Sequence, residues 1–230
     1  MPITKGLDKL IKYNDRSIRN LTTTPAAAGG DTGALVHIKT LTASSSATLS
    51  FVHGADNVVL DSTYPIYKFE FINMHPATDA TKFEFNGSDD DSSHSYDVVK
   101  TSTSFSTYHH ESAPGGPHGN AVLAYNSGHD LAQGTGFQYV TGPGDSGADA
   151  DQSQNGTLFL YNPSSTTFVK HFMVNMQSSG AGAGNSAGAS DQTLTAGYFN
   201  TTADITAIQF RQSSGNLDSG KIKLYGIKDA

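Results

Sequence analysis

Alternation of apolar and polar positions runs through the chain from Ala34 onward and is clearest in its last stretch. Ile208 and Phe210 alternate with Gln209 and Arg211, and Ile222 and Leu224 alternate with Lys221, Lys223 and Tyr225, the period of two that marks half-buried strands. Between them, Ser213 to Gly220 supplies two glycines, an Asn and an Asp, residue types that reverse a chain. The expectation is an antiparallel hairpin. Since it comes last, every upstream strand waits for it before the sheet can close.

The same pattern predicts two more hairpins. Leu35–Ile38 and Thr48–Val52 are expected to pair across 42–47. Tyr67, Phe69 and Phe71 alternate with Lys68 and Glu70, and after the turn 75–79 Phe83 and Phe85 alternate with Lys82 and Glu84. These two strands are also expected to pair, with their aromatic residues facing one core. Further strands are predicted over 96–100, the Ser/Thr-rich 101–108, 121–125, 138–140, 157–161, 168–176 and 193–199, about eleven or twelve in all. No helical run of ten residues follows residue 20. Short strands with turns and no alternating helices predict an all-β fold. The expected form is an antiparallel two-sheet β-sandwich, jelly-roll-like, built as a single domain from residues 34–230.

Residues 1–33 differ in character and are expected to form an extended N-terminal arm with at most a short helix. Leu7, Leu10 and Ile11 have helical spacing for only a turn or two, too short for stability alone. Thr22 to Gly30 does not build a core. The arm carries five of the chain's fourteen Lys and Arg residues, so it suits an acidic partner surface. Leu7, Leu10, Ile11, Arg16, Ile18, Arg19 and Leu21 are its candidate docking residues; the competing reading is a solvated tail.

Composition narrows the function classes. A net charge of −7 with 15% charged residues supplies no basic field for a phosphate backbone, so no nucleic-acid partner is expected. Cysteine is absent, which excludes disulfides and thiolate metal sites. The start, MPITKGLDKLIKY, lacks the apolar core of a secretion signal, and nowhere do 18 apolar residues run together. The expectation is cytoplasmic synthesis without membrane insertion.

Candidate chemistry is sparse. Gly144-Asp-Ser-Gly147 matches the nucleophile segment of chymotrypsin-like proteases, but it lies in a glycine-rich acidic loop and Ala148 stands where that family has another glycine. Asp145, Asp149 and Asp151, or Asp89 to Asp91, offer carboxylates for calcium, although Gln154 and Leu160 stand at the positions an EF-hand reserves for Gly and Glu. His109, His110, Glu111 and His118 include zinc-ligand types, but neighbouring residues on a strand point to opposite faces. Solvated loops account for all three, and no catalytic residue, metal or cofactor is assigned. Paired carboxylates in a cleft, as glycoside hydrolysis needs, are not apparent either. Tyr108, Tyr125, Tyr139 and Tyr161 fall near strand ends, where they are candidates for stacking on sugars or filling an interface.

Several segments together resemble structural proteins of tailed phages, especially marine cyanophages. They are DSTYPIYKFEFINMHPATDA at 61–80, LAQGTGFQ at 131–138, GTLFLYNPSSTTFVKHFM at 156–173, TAGYFNTT at 195–202 and IQFRQSSGNLDSGKIKLYGI at 208–227. DRSIRNLTTTP at 15–25 is similar to a short motif that precedes the β domain in such proteins. The resemblance implies a non-enzymatic virion component made in the host cytoplasm, decorating the capsid or attached to the tail. Its implied partners are other virion proteins and further copies of itself. The alternative it implies is a tail-fibre tip whose loops at Asp89, Gly115 and Gly180 recognise host surface glycans.

Overall fold

The computed structural model describes residues 34–110, 123–143, 145–180 and 189–229. Leu35–Asp229 forms one compact unit. The described chain is all-β, with strands β1 (Leu35–Thr42), β2 (Leu49–Val52), β3 (Ile66–Pro76), β4 (Phe83–Ser88), β5 (Lys100–His110), β6 (Ala124–Tyr125), β7 (Gln138–Tyr139), β8 (Gln154–Tyr161), β9 (Lys170–Ser179), β10 (Ala189–Phe199), β11 (Ala207–Gln212) and β12 (Leu217–Ile227). They form an eight-stranded sheet in the order β1-β12-β3-β8-β9-β10-β5-β6 and a four-stranded sheet in the order β2-β11-β4-β7. Every pairing between named strands is antiparallel. The two sheets pack face to face as a β-sandwich, which is the expected fold class.

The three expected hairpins are not hairpins. β11 pairs with β2 and β4, whereas β12 pairs with β1 and β3 in the other sheet. β1 and β2 are likewise divided between the sheets, and so are β3 and β4. The connections 43–48, 77–82 and 213–216 therefore cross from one sheet to the other. Alternation is the same for both arrangements, since either way one face of each strand is buried. Crossing brings the two apolar faces opposite each other, where a hairpin would lay them side by side. The common core of β3 and β4 is as expected: the Phe71 and Phe83 rings lie 5.2 Å apart, reached across the core.

The glycines of the last connection have separate roles. Gly215 lies in the crossing at a φ of 70°, where a Cβ would collide with Thr78 Oγ1. Gly220 lies inside β12 at a φ of 118°, beside the register shift between Ser219 and Lys221. It marks a bulge rather than the turn.

Phe210 is the centre of the core. On β11 its ring lies 6.2 Å from Phe51 and 6.2 Å from Phe85 in its own sheet, and 5.2 Å from both Phe69 and Phe71 in the opposite one. Phe83 stacks on it at 5.9 Å. All six rings are buried, and edge-on pairs at these distances add to the stabilisation from burial alone.

Beyond this aromatic core the large sheet carries four strands with no counterpart in the small one. While β9 turns Phe172, Val174 and Met176 into the apolar core, the inner face of β5 and β10 is largely hydroxylated: Ser102, Ser104 and Ser106 of β5 and Thr193 and Thr195 of β10 are buried. The segment 123–143 lies over them, held by Asn126 N donating to Ser104 O at 2.9 Å and Leu131 N to Ser102 Oγ at 2.9 Å. Gln138 locks the layer, accepting from Ser102 Oγ at 2.5 Å and donating to His129 O at 2.6 Å. A covering loop exposes unpaired backbone groups to whatever it covers, and hydroxyls satisfy them where methyls would not.

Phe210→Ala is expected to lower unfolding stability by about 3–5 kcal/mol. Chemical denaturation of the variant and wild type measures it; a loss below about 1 kcal/mol is the result for a peripheral ring.

Candidate functional site

Strand register builds the most distinctive surface of the described residues on the outer face of the large sheet. Lys68, Phe159, Met173, Ala196 and Thr103 form one row across β3, β8, β9, β10 and β5. The adjacent row is Glu70, Thr157, Asn175, Leu194, Phe105 and Tyr125. Charge is confined to the β3 end of both rows, and the rest is apolar or neutral. Met173 is 54% exposed, Leu194 43%, Phe105 38% and Tyr125 53%. With Leu35 at the far edge, five of the seven large apolar side chains that are exposed among the described residues lie on this one face. Such clustering marks contact surfaces, whereas scattered apolar residues do not.

A groove of about 670 Å³ opens along this face, lined by Tyr161, His171, Met173, Ala196, Tyr198 and Thr101 among others. The His171 and Tyr198 rings lie 5.8 Å apart on neighbouring strands. Tyr161 directs its hydroxyl to Met173 Sδ at 3.7 Å, a weak contact that leaves most of the phenol's hydrogen-bonding capacity unused. No charged side chain other than His171, charged only when protonated, lines the groove.

The four candidate tyrosines divide. Tyr161 lines the groove, and Tyr125 lies on the same face, edge-on to Phe105 at 6.1 Å. The Tyr125 hydroxyl donates to the Asp130 carboxylate, which pushes the phenol pKa up. Tyr139 is on the small sheet, half-buried beside His129 at 5.4 Å. Tyr108 is on β5, half-buried. The structure thus brings Tyr125 and Tyr161 to one surface and leaves Tyr108 and Tyr139 off it. Tyr198, His171 and Met173 were missed as site residues. The signal for them was alternation, because each occupies the position opposite a buried neighbour in β9 and β10.

The second cavity, about 360 Å³, lies over the small sheet between Arg211, Glu84, Phe137, Tyr139, His129 and Asp130, among others. Arg211 Nε donates to Glu84 Oε1 at 2.7 Å, and its guanidinium lies 3.7 Å from the Phe137 ring centre. Burial raises the Glu84 pKa and Arg211 opposes it. Burial lowers that of His129, whose Nδ1 lies 3.0 Å from Thr141 O. The cation is thereby engaged by a carboxylate and a ring already.

The remaining candidates are occupied or closed. Ser146 is fully buried, bridged by backbone to Thr81 and Gly180, so an acyl substrate has no approach to its hydroxyl. Asp145 is ion-paired with Lys82. Asp90 accepts from the backbone N–H groups of Ser92, Ser93, His94 and Ser95 at 2.9, 2.6, 3.1 and 3.0 Å. Those bonds, led by Ser93, hold its carboxyl well below the usual carboxylate range and make Asp90 the organiser of its own loop. His109 and His110 are in β5, while Glu111, His118 and the Gly115 loop lie outside the described residues, as do Leu7, Leu10, Ile11, Arg16, Ile18, Arg19 and Leu21. No group of three or more metal-ligand side chains occurs among the described residues, and no helix long and apolar enough to cross a membrane occurs among them.

Comparison of the chain with protein-family models, curated proteins and solved structures finds no match.

The depressed Asp90 pKa sets a sign for acid behaviour. Its stabilisation is present above the unfolded carboxylate value of about 3.9 and is lost as pH falls toward the folded value. Asp90→Asn is therefore expected to be less stable than wild type at about pH 7, with the difference shrinking by about pH 2.5. Urea unfolding at both pH values measures it; an equal difference at the two contradicts the charge-based account.

Proposed function

We propose that this protein is a non-enzymatic structural component of a phage virion, displayed on the particle and held there by contacts between subunits. The observation that carries the reading is the outer face of the large sheet, where exposed Met173, Leu194, Phe105 and Tyr125 lie together on a rigid, almost uncharged surface. A face of this kind suits packing against another protein surface, including a second copy of the chain.

Connectivity lends further support. Strands β1, β12, β3 and β8 of the large sheet continue one to one into β2, β11, β4 and β7 of the small one. This is the interleaving of a jelly roll with β5, β6, β9 and β10 as additions, a winding used by viral capsid and lectin domains. The resemblance of residues 61–80, 156–173 and 208–227 to tailed-phage structural proteins points the same way. In this reading the N-terminal arm docks on a neighbouring virion protein, and the chain sits on the capsid or the tail.

Recognition of a host surface glycan is the second reading, favoured by the aromatic residues Tyr161, His171 and Tyr198 with the Thr101 hydroxyl beside them in the groove. Tyrosine and histidine rings offer stacking faces for sugar rings. The lack of charged side chains other than His171 along the groove, with exposed Met173, Leu194 and Phe105 on the same face, favours the protein partner over the glycan.

Immunogold labelling of purified particles is expected to mark heads or tails, and unlabelled particles overturn the virion reading. Met173→Glu places a charge on an exposed site and is expected to change stability by less than about 0.5 kcal/mol. The same variant is expected to abolish self-association in sedimentation and to lower incorporation into particles. Full association and incorporation of the variant remove the sheet face as the contact. Binding of the isolated wild type on a glycan array, lost in Tyr198→Ala, is the result that selects the second reading.

A further inference from the structure

Asn86 and Lys100 meet inside the molecule, away from the sheet face and independent of what that face binds. Asn86 is on β4 of the small sheet, and Lys100 opens β5 of the large one. Both are fully buried. Lys100 Nζ donates to Asn86 Oδ1 at 2.5 Å and to Val98 O at 2.8 Å, with the centre of the Phe199 ring 5.6 Å away. Since a C=O bond is about 1.23 Å long, Nζ is at most about 3.7 Å from the amide carbon Cγ, close to the separation from which bonds form.

The surroundings treat the two ends of the Asn86 amide differently. Its oxygen also accepts the Gly87 N–H at 2.8 Å. Its nitrogen donates to three backbone carbonyls, those of Tyr96, Thr135 at 3.0 Å and Gly136 at 3.4 Å. The oxygen is thus positioned to take up negative charge, and the nitrogen is surrounded by carbonyls that accept hydrogen bonds from the ammonia as it leaves. Burial brings the lysine pKa down to about 7, opposed by the charge of Asp97, so a neutral amine is accessible near physiological pH. A buried lysine is a costly way to satisfy one amide oxygen, which is why a chemical role is the better account of it.

We propose that the folded chain joins Asn86 to Lys100 through an intramolecular isopeptide bond. The neutral Nζ adds its lone pair to Cγ, and the carbonyl electrons move onto Oδ1, held by the Gly87 N–H. A proton passes from Nζ to Nδ2, the carbonyl re-forms, the Cγ–Nδ2 bond breaks, and ammonia leaves. Nothing is oxidised or reduced, and no co-reactant is consumed. The product is a covalent staple between the two sheets of the sandwich.

Intact-mass spectrometry of the full purified chain, held in mildly alkaline buffer, tests this directly. The expected mass is lower than the sequence mass by one ammonia, with a branched tryptic peptide joining Asn86 to Lys100 and no cleavage after Lys100. Lys100→Arg is expected to keep its full sequence mass. Wild type remaining at its sequence mass overturns the proposal. So does loss of ammonia accompanied by normal cleavage at Lys100 and by hydroxylamine scission between Asn86 and Gly87, because that is cyclisation of Asn86 onto the Gly87 nitrogen. Wild type alone decides the matter, so a variant that fails to fold leaves the test intact.

Discussion

The packing of Phe210 is the contact on which the rest of the sandwich depends. Its ring reaches both sheets, and its strand lies between β2 and β4 while the next strand, β12, lies between β1 and β3. The last two strands in sequence are therefore interior strands of the two different sheets. Strands near the start of the described chain cannot find their hydrogen-bond partners until the end is present. Such non-local pairing requires large loops to close before contacts reward them, which makes folding slow in principle. The aromatic cluster compensates by concentrating apolar burial where both sheets converge.

Away from that cluster the usual polarity of a sandwich is reversed. On β5 the serines at 102, 104 and 106 point inward and are buried, whereas Phe105 is exposed on the outer face; Leu194 is exposed in the same way on β10. The reversal follows from what covers each face. A loop with backbone groups to satisfy lies over the serines, and no described part of the chain lies over Phe105. The same strands thus bind a polar loop on one side and present an apolar surface on the other, which links the local sequence of β5 to the proposed contact face.

Two of the buried charged groups lie where the loop 123–143 meets the sandwich. Glu84 is buried against Arg211, and Lys100 is buried against an amide rather than a carboxylate. The first arrangement is a satisfied ion pair that orients the loop through Phe137. The second lacks a counter-ion in contact and has a nucleophile beside a carbonyl, which is why the two buried charges lead to different conclusions.

Strand positions, the inward aromatic residues of β3, β4 and β11, and the all-β class were legible in the sequence, because alternation is a local property that each strand carries by itself. The same alternation held the groove residues Tyr198, His171 and Met173, but outward-facing positions read as ordinary solvent-exposed ones until their neighbours are known. Pairing partners were not legible: a hairpin and a crossing between sheets bury the same alternate residues, and only the opposed sheet decides between them. The Asn86–Lys100 contact was equally hidden, since Asn-Gly reads as a turn and a lysine as surface. What the sequence determined by itself was which side of each strand is apolar; what the tertiary structure alone decided was what each side faces, because burial, pKa and reactivity depend on atoms supplied by distant parts of the chain.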